Sequence, residues 1–273
     1  MEMSQERRKL DMSHSTNRTY PPRLSRLRLL LQDEGLDRLQ DATVMVLGLG
    51  GVGSACAESF ARGGVGHLII LDGDVVDPTN INRQVIAFES TIGRQKSDVM
   101  KELILDINPD CDVYAVQEFL QPDNLEATLS ALPRPDYVLD CIDTVTQKLG
   151  IAQWCAQQHL PLLSSMGAAN KLDPAFLTFD WIENTQYCPL SKVIRRECRE
   201  RGIQKLEVLY SKEIPPKIVR PSVQVKAQTL GSMSYMPPIM GKMIAGKVIR
   251  RLAGLETYQQ TPRQLPMSVN DYE

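Results

Sequence analysis

The stretch Val44–Phe60, VMVLGLGGVGSACAESF, sets Gly48, Gly50 and Gly53 in a G-x-G-x-x-G pattern with Gly51 among them, between an apolar run and a helical pattern. At such a turn main-chain N–H groups approach phosphate oxygens at a helix N-terminus, where a Cβ would obstruct them. Asp72 ends the next apolar run, about twenty residues on, where an acid accepts from ribose hydroxyls. A dinucleotide and ATP both carry a ribose, and a tight turn with no ligand is a third reading. These features alone leave all three open.

The next residues separate them. DGDVVDPTNINRQ supplies Asp74, Asn80, Arg83 and Gln84, and Lys96 follows thirteen residues after Arg83 at the head of a helical pattern. A triphosphate carries more charge than a pyrophosphate diester and needs cations, each worth roughly 4 kcal/mol at about 4 Å and an effective dielectric near 20. Asp143, in VLDCIDTV, is placed to hold Mg2+ against the phosphates. Nicotinamide chemistry has no use for this set. Arg83, Lys96 and Asp143 are therefore the candidate catalytic residues, and ATP with Mg2+ the expected cofactors.

Elements must bring these residues together. Val44–Leu47, Leu68–Leu71, Val113–Val116, Tyr137–Leu139 and Leu162–Ser164 read as short strands, and residues 52–62, 95–107, 122–131 and 145–158 as helices between them. This alternation predicts an α/β, Rossmann-like, doubly wound and mostly parallel sheet, with ligands at the carboxyl ends of its strands. Helices from Arg23 precede the first strand, and residues 1–22 read as a flexible tail. Residues 23–256 are expected to form a single domain, with 257–273 a second tail. MPPIMGKMIAGKVIRRLAGL predicts a C-terminal helix with an apolar face of Ile239, Met240, Met243, Ile244, Val248, Ile249 and Leu252. Lys242, Lys247, Arg250 and Arg251 fall opposite it. Residues 211–229 read as a loop or crossover that orders over substrate.

The 273 residues, 42% hydrophobic and 23% charged, suit an ordinary globular core, and no apolar run approaches membrane-spanning length. A cytoplasmic protein with no membrane partner is expected. Six cysteines without a C-x-x-C pair argue against a structural zinc. Residues 189–254 carry a net charge of +10 although the whole chain carries −2, so one face suits a polyanion. Lys192, Arg195, Arg196 and Arg199 recur at helical spacing and could meet a phosphate backbone together; a solvated face with local pairs such as Glu197 with Arg201 is the plainer alternative. Trp154 and Trp181 read as packing residues.

GLGGVG, DGDVVDPTNINRQ, the lysine thirteen residues on and LDCID together resemble the adenylating domain of the ubiquitin-activating-enzyme family, the ThiF, MoeB and HesA group. The resemblance implies transfer of AMP to a carboxylate. It makes Gly51 and Gly53 phosphate-loop residues, Asp72 the ribose acceptor, Asn80, Arg83 and Lys96 phosphate contacts, and Asp143 the magnesium ligand. Arg26 stands where the family has an arginine reaching ATP from a partner subunit. SSMGAANKLDP and PLSKVIRRECRERGI are similar to the tRNA threonylcarbamoyladenosine dehydratase branch from about Arg23 to Leu255. That branch implies a substrate loop of Gly167, Ala168, Ala169, Asn170 and Lys171, a tRNA partner and a homodimer. It leaves open a cysteine desulfurase or sulfur-acceptor partner and a monovalent cation, K+ or Na+. Cys188 departs from the branch, which often has aspartate there; it reads as a passive loop residue over a nucleophile. Activation of a sulfur carrier's C-terminal glycine and a non-catalytic nucleotide-binding scaffold are the rival readings.

Overall fold

The computed structural model describes residues 18–214 and 230–256. Among these, seven strands form one sheet: β1 (Thr43–Leu47), β2 (His67–Leu71), β3 (Asp112–Val116), β4 (Tyr137–Asp140), β5 (Leu162–Ser165), β6 (Leu177–Trp181) and β7 (Glu207–Ser211). Their order is β3-β2-β1-β4-β5-β7-β6, and every neighbouring pair is parallel except β6 with β7. The five strands expected from sequence are all present. β6 and β7 extend the sheet beyond them, so Ser211 ends a strand; residues 215–229, most of the expected crossover, lie outside the described residues, as do 1–17 of the first tail and all of 257–273.

Both faces of the sheet are covered, which is why its central strands are continuous apolar runs. Alternate residues of β1 point to opposite sides. Val44 and Val46 join one core, with α2 (Gly53–Arg62), α3 (Lys96–Ile107) and α7 (Met236–Leu252). Met45 and Leu47 join the other, with α4 (Leu125–Ser130), α5 (Val145–Gln157) and α6 (Pro189–Glu200). Helix α4 is shorter than its pattern because Asn124 Oδ1 accepts from Gln121 N–H at 2.7 Å and holds the preceding residues in a turn. Trp154 and Trp181 are buried in packing positions.

The leading helix α1 (Ser25–Asp41) buries Leu31, Leu36 and Leu39 and is interrupted at Gln32, whose φ of +58° is left-handed. At the other end of the chain, α7 starts with prolines in its first turn and packs on α2. A Cβ on Gly241 would lie 2.3 Å from Val52 O, so only glycine allows that approach. Not all of this helix's cations face away from the core. Arg251 donates to Glu207 Oε2 at 2.6 Å, Oε1 at 2.9 Å and Tyr137 Oη at 2.6 Å, and Lys247 meets Glu207 Oε1 at 2.7 Å. Burial raises the Glu207 carboxyl, but these two cations outweigh it and hold Glu207 below the usual carboxylate range. The expectation that Lys247 and Arg251 lie opposite the packed face is corrected: a buried carboxylate on β7 draws both inward. Among the described residues no helix is long and apolar enough to cross a membrane.

Candidate functional site

Successive strands step away from β1 through β2 to β3, and the chain then returns to place β4 on the other side of β1. A crevice opens at this reversal, outside the carboxyl ends of β1 and β4. The glycine turn follows β1, and the turn carrying Asp143 follows β4. The spacing-derived residues from 48 to 96 and Asp143 therefore converge on the end of the sheet where ligands bind in this architecture.

The glycines divide by role. Gly48 has φ +88°, and a Cβ on Gly53 would sit 1.7 Å from Gly48 O, so these two close the turn upon itself. Gly50 is different: its missing Cβ faces open space, with Gln84 Nε2 the nearest atom at 3.9 Å. Gln84 is buried and its Oε1 has no partner among the described residues. A cradle that a Cβ would fill, beside an unpartnered buried amide, fits a polar ligand laid along the turn. On the remaining side, a Cβ on Gly51 would meet Pro237 Cβ at 2.8 Å and Arg83 Cγ at 3.2 Å, so α7 and Arg83 wall the turn.

Asp72 tethers this loop. Its Oδ2 accepts from Leu49 N–H at 2.6 Å and its Oδ1 from Asp74 N–H at 2.8 Å. Burial raises the carboxyl, against the opposing pull of the Lys96 charge and those two N–H groups. Lys96 opens α3, as the spacing predicts, and its buried ammonium meets Asp74 Oδ2 at 3.0 Å. Asp74, expected among the ATP contacts, thus holds the lysine in place. Asn80 is buried in a short turn (Pro78–Asn80), where its Oδ1 accepts from Asp77 N–H at 3.2 Å and its carbonyl accepts from Arg83 N–H at 3.0 Å. Arg83 Nη1 donates to Thr79 O at 3.0 Å and Asn82 Oδ1 at 2.9 Å, both neutral acceptors. Its charge is met by no carboxylate among the described residues.

Asp143 is exposed beside Thr144. Among the described residues no group of three or more His, Cys, Asp or Glu could hold a metal ion. A single carboxylate fits Mg2+, which keeps waters and takes its other ligands from substrate phosphates. Arg26 is exposed on α1.

Sequence spacing misses what stands behind Asp143. Asp140, Lys148 and Ser164 form a buried network at the ends of β4 and β5 and on α5. Lys148 Nζ lies 2.9 Å from Asp140 Oδ2 and donates to Ser164 Oγ at 3.2 Å, while Ser164 O–H donates to Asp140 Oδ2 at 2.6 Å. The residues are eight and sixteen positions apart along the chain, so only the register pairing Asp140 with Ser164 brings them together.

The expected substrate loop follows β5. Gly167, Ala168 and Ala169 are partly exposed there, and Asn170 adopts a left-handed φ of +59°. Asn170 N–H donates to Gly231 O at 2.9 Å, and Asn170 Oδ1 accepts from Gly231 N–H at 2.7 Å, tying the loop to the segment ahead of α7. Lys171 is buried and donates to Glu213 O; desolvation lowers its pKa, against the nearby Cys188 and Glu213. Asp173 accepts from Ala175 N–H at 2.8 Å and supports its own turn. Cys188 is buried and caps α6 by accepting from Ser191 N–H at 3.5 Å.

On α6 the four basic residues do not form one free face. Lys192 and Arg199 are exposed, without an ion-pair partner among the described residues. Arg196 pairs with Glu197 at 2.7 Å and Glu200 at 3.8 Å, and Arg201 pairs with Glu197 as the plainer reading had it. Arg195 turns inward, donating to Thr185 O at 2.6 Å and Thr185 Oγ1 at 2.7 Å. The expectation of a joint display is corrected for Arg195: a carbonyl at the start of the helix's own approach claims its guanidinium.

Comparison with known proteins adds the relatives. The chain is 39% identical over 240 residues to the Bacillus subtilis tRNA threonylcarbamoyladenosine dehydratase, covering 84% of this chain and 93% of that protein. A crystal structure of the Escherichia coli tRNA N6-threonylcarbamoyladenosine dehydratase, TcdA, in complex with ATP superposes with a TM-score of 0.73 at 29% identity, covering 86% of this chain and 96% of that one. The Escherichia coli sulfur carrier protein ThiS adenylyltransferase is 35% identical over 62% of this chain and 70% of its own. The ThiF family matches residues 23–272, and this chain belongs to the ThiF family.

Proposed function

We propose that this chain is an ATP-dependent tRNA threonylcarbamoyladenosine dehydratase. The observation that carries the reading is the 39% identity to the Bacillus subtilis dehydratase across 93% of that protein's length. The crevice at the glycine turn supplies the setting for the chemistry. A carboxylate oxygen of the modified adenosine attacks the α-phosphorus of ATP, the bond to pyrophosphate breaks, and an acyl adenylate forms. A nucleophilic atom of the same side group then attacks the acyl carbon, and AMP leaves with the electron pair of the C–O bond. Because that nucleophile is tethered, ring closure can enjoy an effective molarity on the order of 10⁵ M, and no cysteine intermediate is needed.

In this scheme Gly50 and Gly51 bring main-chain N–H groups to the phosphates, and Asp72 accepts from the ribose. Arg83 and Lys96 stabilise charge as pyrophosphate departs. Mg2+, held by Asp143, would offset phosphate charge. The loop Gly167–Lys171 shapes the acceptor pocket and excludes water from the acyl adenylate. Lys192 and Arg199 serve the tRNA backbone, with Arg195 fixing the helix that carries them and Arg196 held by Glu197 and Glu200. The reading includes a homodimer, in which exposed Arg26 is available to a neighbouring subunit, a cytoplasmic setting, and K+ or Na+ and a sulfur-transfer pair as additions to the assay.

The test is mass spectrometry of nucleosides from threonylcarbamoyladenosine-bearing tRNA incubated with the protein and ATP. Loss of one water from the modified nucleoside, with AMP and pyrophosphate released, is the expected result. Pyrophosphate exchange that requires a sulfur carrier and ignores tRNA would favour the ThiS-activating reading, to which 35% identity over a smaller share of the chain points. No ATP turnover with authentic modified tRNA would support a scaffold.

A further inference from the structure

We infer that Asp140, Lys148 and Ser164 are positioning residues for the nucleotide site, a buried clamp that sets the turn carrying Asp143. The inference rests on the reading of Asp143 given above. All three residues are at most 1% exposed, so none touches substrate. Their bonds leave one atom turned toward the site: Asp140 Oδ1 accepts from Ile142 N–H at 3.2 Å, inside the turn that leads to Asp143. The turn is also pinned from the sheet, since Cys141 N–H donates to Leu47 O at 2.8 Å.

That turn touches the glycine loop at both ends. A Cβ on Gly48 would meet Ile142 Cγ1 at 3.0 Å and Ile142 N at 3.1 Å, and a Cβ on Gly53 would meet Cys141 Cβ at 3.1 Å. One carboxylate, fixed by an ammonium and a hydroxyl, thus sets the separation between the loop proposed for the phosphates and the acid proposed for their metal. A buried ion pair is weak evidence for stability, since apolar residues of similar volume often do as well. Its use here is geometric, as hydrogen-bonded groups behind a ligand orient it.

The test uses the full chain and three variants. Asp140→Leu/Lys148→Met/Ser164→Ala removes the charges and the acceptor for Ile142. Asp140→Asn/Lys148→Met removes the charges but keeps that acceptor, and Ser164→Ala removes one anchor of Asp140. ATP affinity is measured by calorimetry in EDTA and in Mg2+, beside kcat, KM and Tm. The triple variant should bind ATP in EDTA within about twofold of native and lose about tenfold in the affinity gained from Mg2+ and in kcat. The Asn-containing variant should stay within about threefold of native, because the turn keeps its acceptor. A folded triple variant with native Mg2+ gain and kcat overturns the inference, and so does an Asn-containing variant as impaired as the triple. If the triple variant does not fold, Ser164→Ala decides: a loss of about threefold in the Mg2+ gain supports the clamp and native behaviour overturns it. Native protein that gains no ATP affinity from Mg2+ removes the role of Asp143, and this inference with it; native gain unchanged in the variants sinks the clamp alone.

Discussion

The cations at the crevice and those of residues 189–254 differ in how far carboxylates have claimed them. Among the described residues Arg83 is bonded only to neutral oxygens of its own turn, and Lys96 shares one carboxylate at the edge of the open end. Across the second region carboxylates have already claimed many cations: Lys247 and Arg251 on Glu207, Lys242 on Glu58, Arg196 and Arg201 on Glu197, Arg250 on Glu256. Glu197 and Glu207 are already counted in the formal +10 of residues 189–254, and Glu58 and Glu256, from outside that stretch, pair with two more of its cations. Charge that matters to a ligand is charge no protein group has neutralised, and Arg83 of the crevice and the exposed Lys192 and Arg199 of α6 have no carboxylate partner among the described residues.

The contrast can be broken experimentally. Arg83→Ala should lower kcat/KM for AMP release by about 10²–10³-fold, as for loss of one group that stabilises developing charge, while Tm stays near native. A tenfold or smaller effect would place Arg83 among the spectators. Glu207→Gln should be the largest stability loss, about 3 kcal/mol at pH 7 by urea denaturation, because it leaves two cations inside without their acid. Glu207 has its folded pKa held below the ordinary value of 4.5, so its contribution is present above that value and fades as pH falls through the folded pKa. The variant and native protein should therefore converge in stability as the solution becomes acid; a gap that persists would sink the ion-cluster account.

Smaller effects sharpen the division within α6. Lys192→Ala/Arg199→Ala should weaken tRNA binding and reduce the salt slope by about 1–2, read from binding at several salt concentrations. Arg195→Ala should leave that slope unchanged and cost about 1–3 kcal/mol of stability through its bonds to Thr185. Arg196→Ala, which frees Glu197 to serve Arg201, should change stability by no more than about 0.5 kcal/mol. A slope that responds equally to Arg195 and Lys192 would restore the joint basic face.

Local chemistry was legible where it is continuous in the chain. The five apolar runs and the helices between them declare their period, and Lys96 opens α3 where the spacing puts it. β6 and β7 escaped because their runs are mixed: LTFDW holds an aspartate, and EVLYS begins with the glutamate that anchors α7. The same limit applies to the site. The site residues from Gly48 to Lys96 fall in the loops that follow β1 and β2 and at the head of α3, within short local motifs, so motif spacing finds them. Asp140 with Lys148 and Ser164, or Arg195 with Thr185, are met only through strand register and helix direction, and a carboxylate eight residues from a lysine gives no warning that both are buried.

The contact of Pro237 with Gly51 has a consequence for how the protein is made. A ribosome releases the glycine turn well before the wall behind it, which arrives only with the last described helix, more than 180 residues later. Nascent protein halted before residue 236 should leave that turn open on one side, so ATP can serve as a reporter of α7 having been made and packed behind the glycine turn.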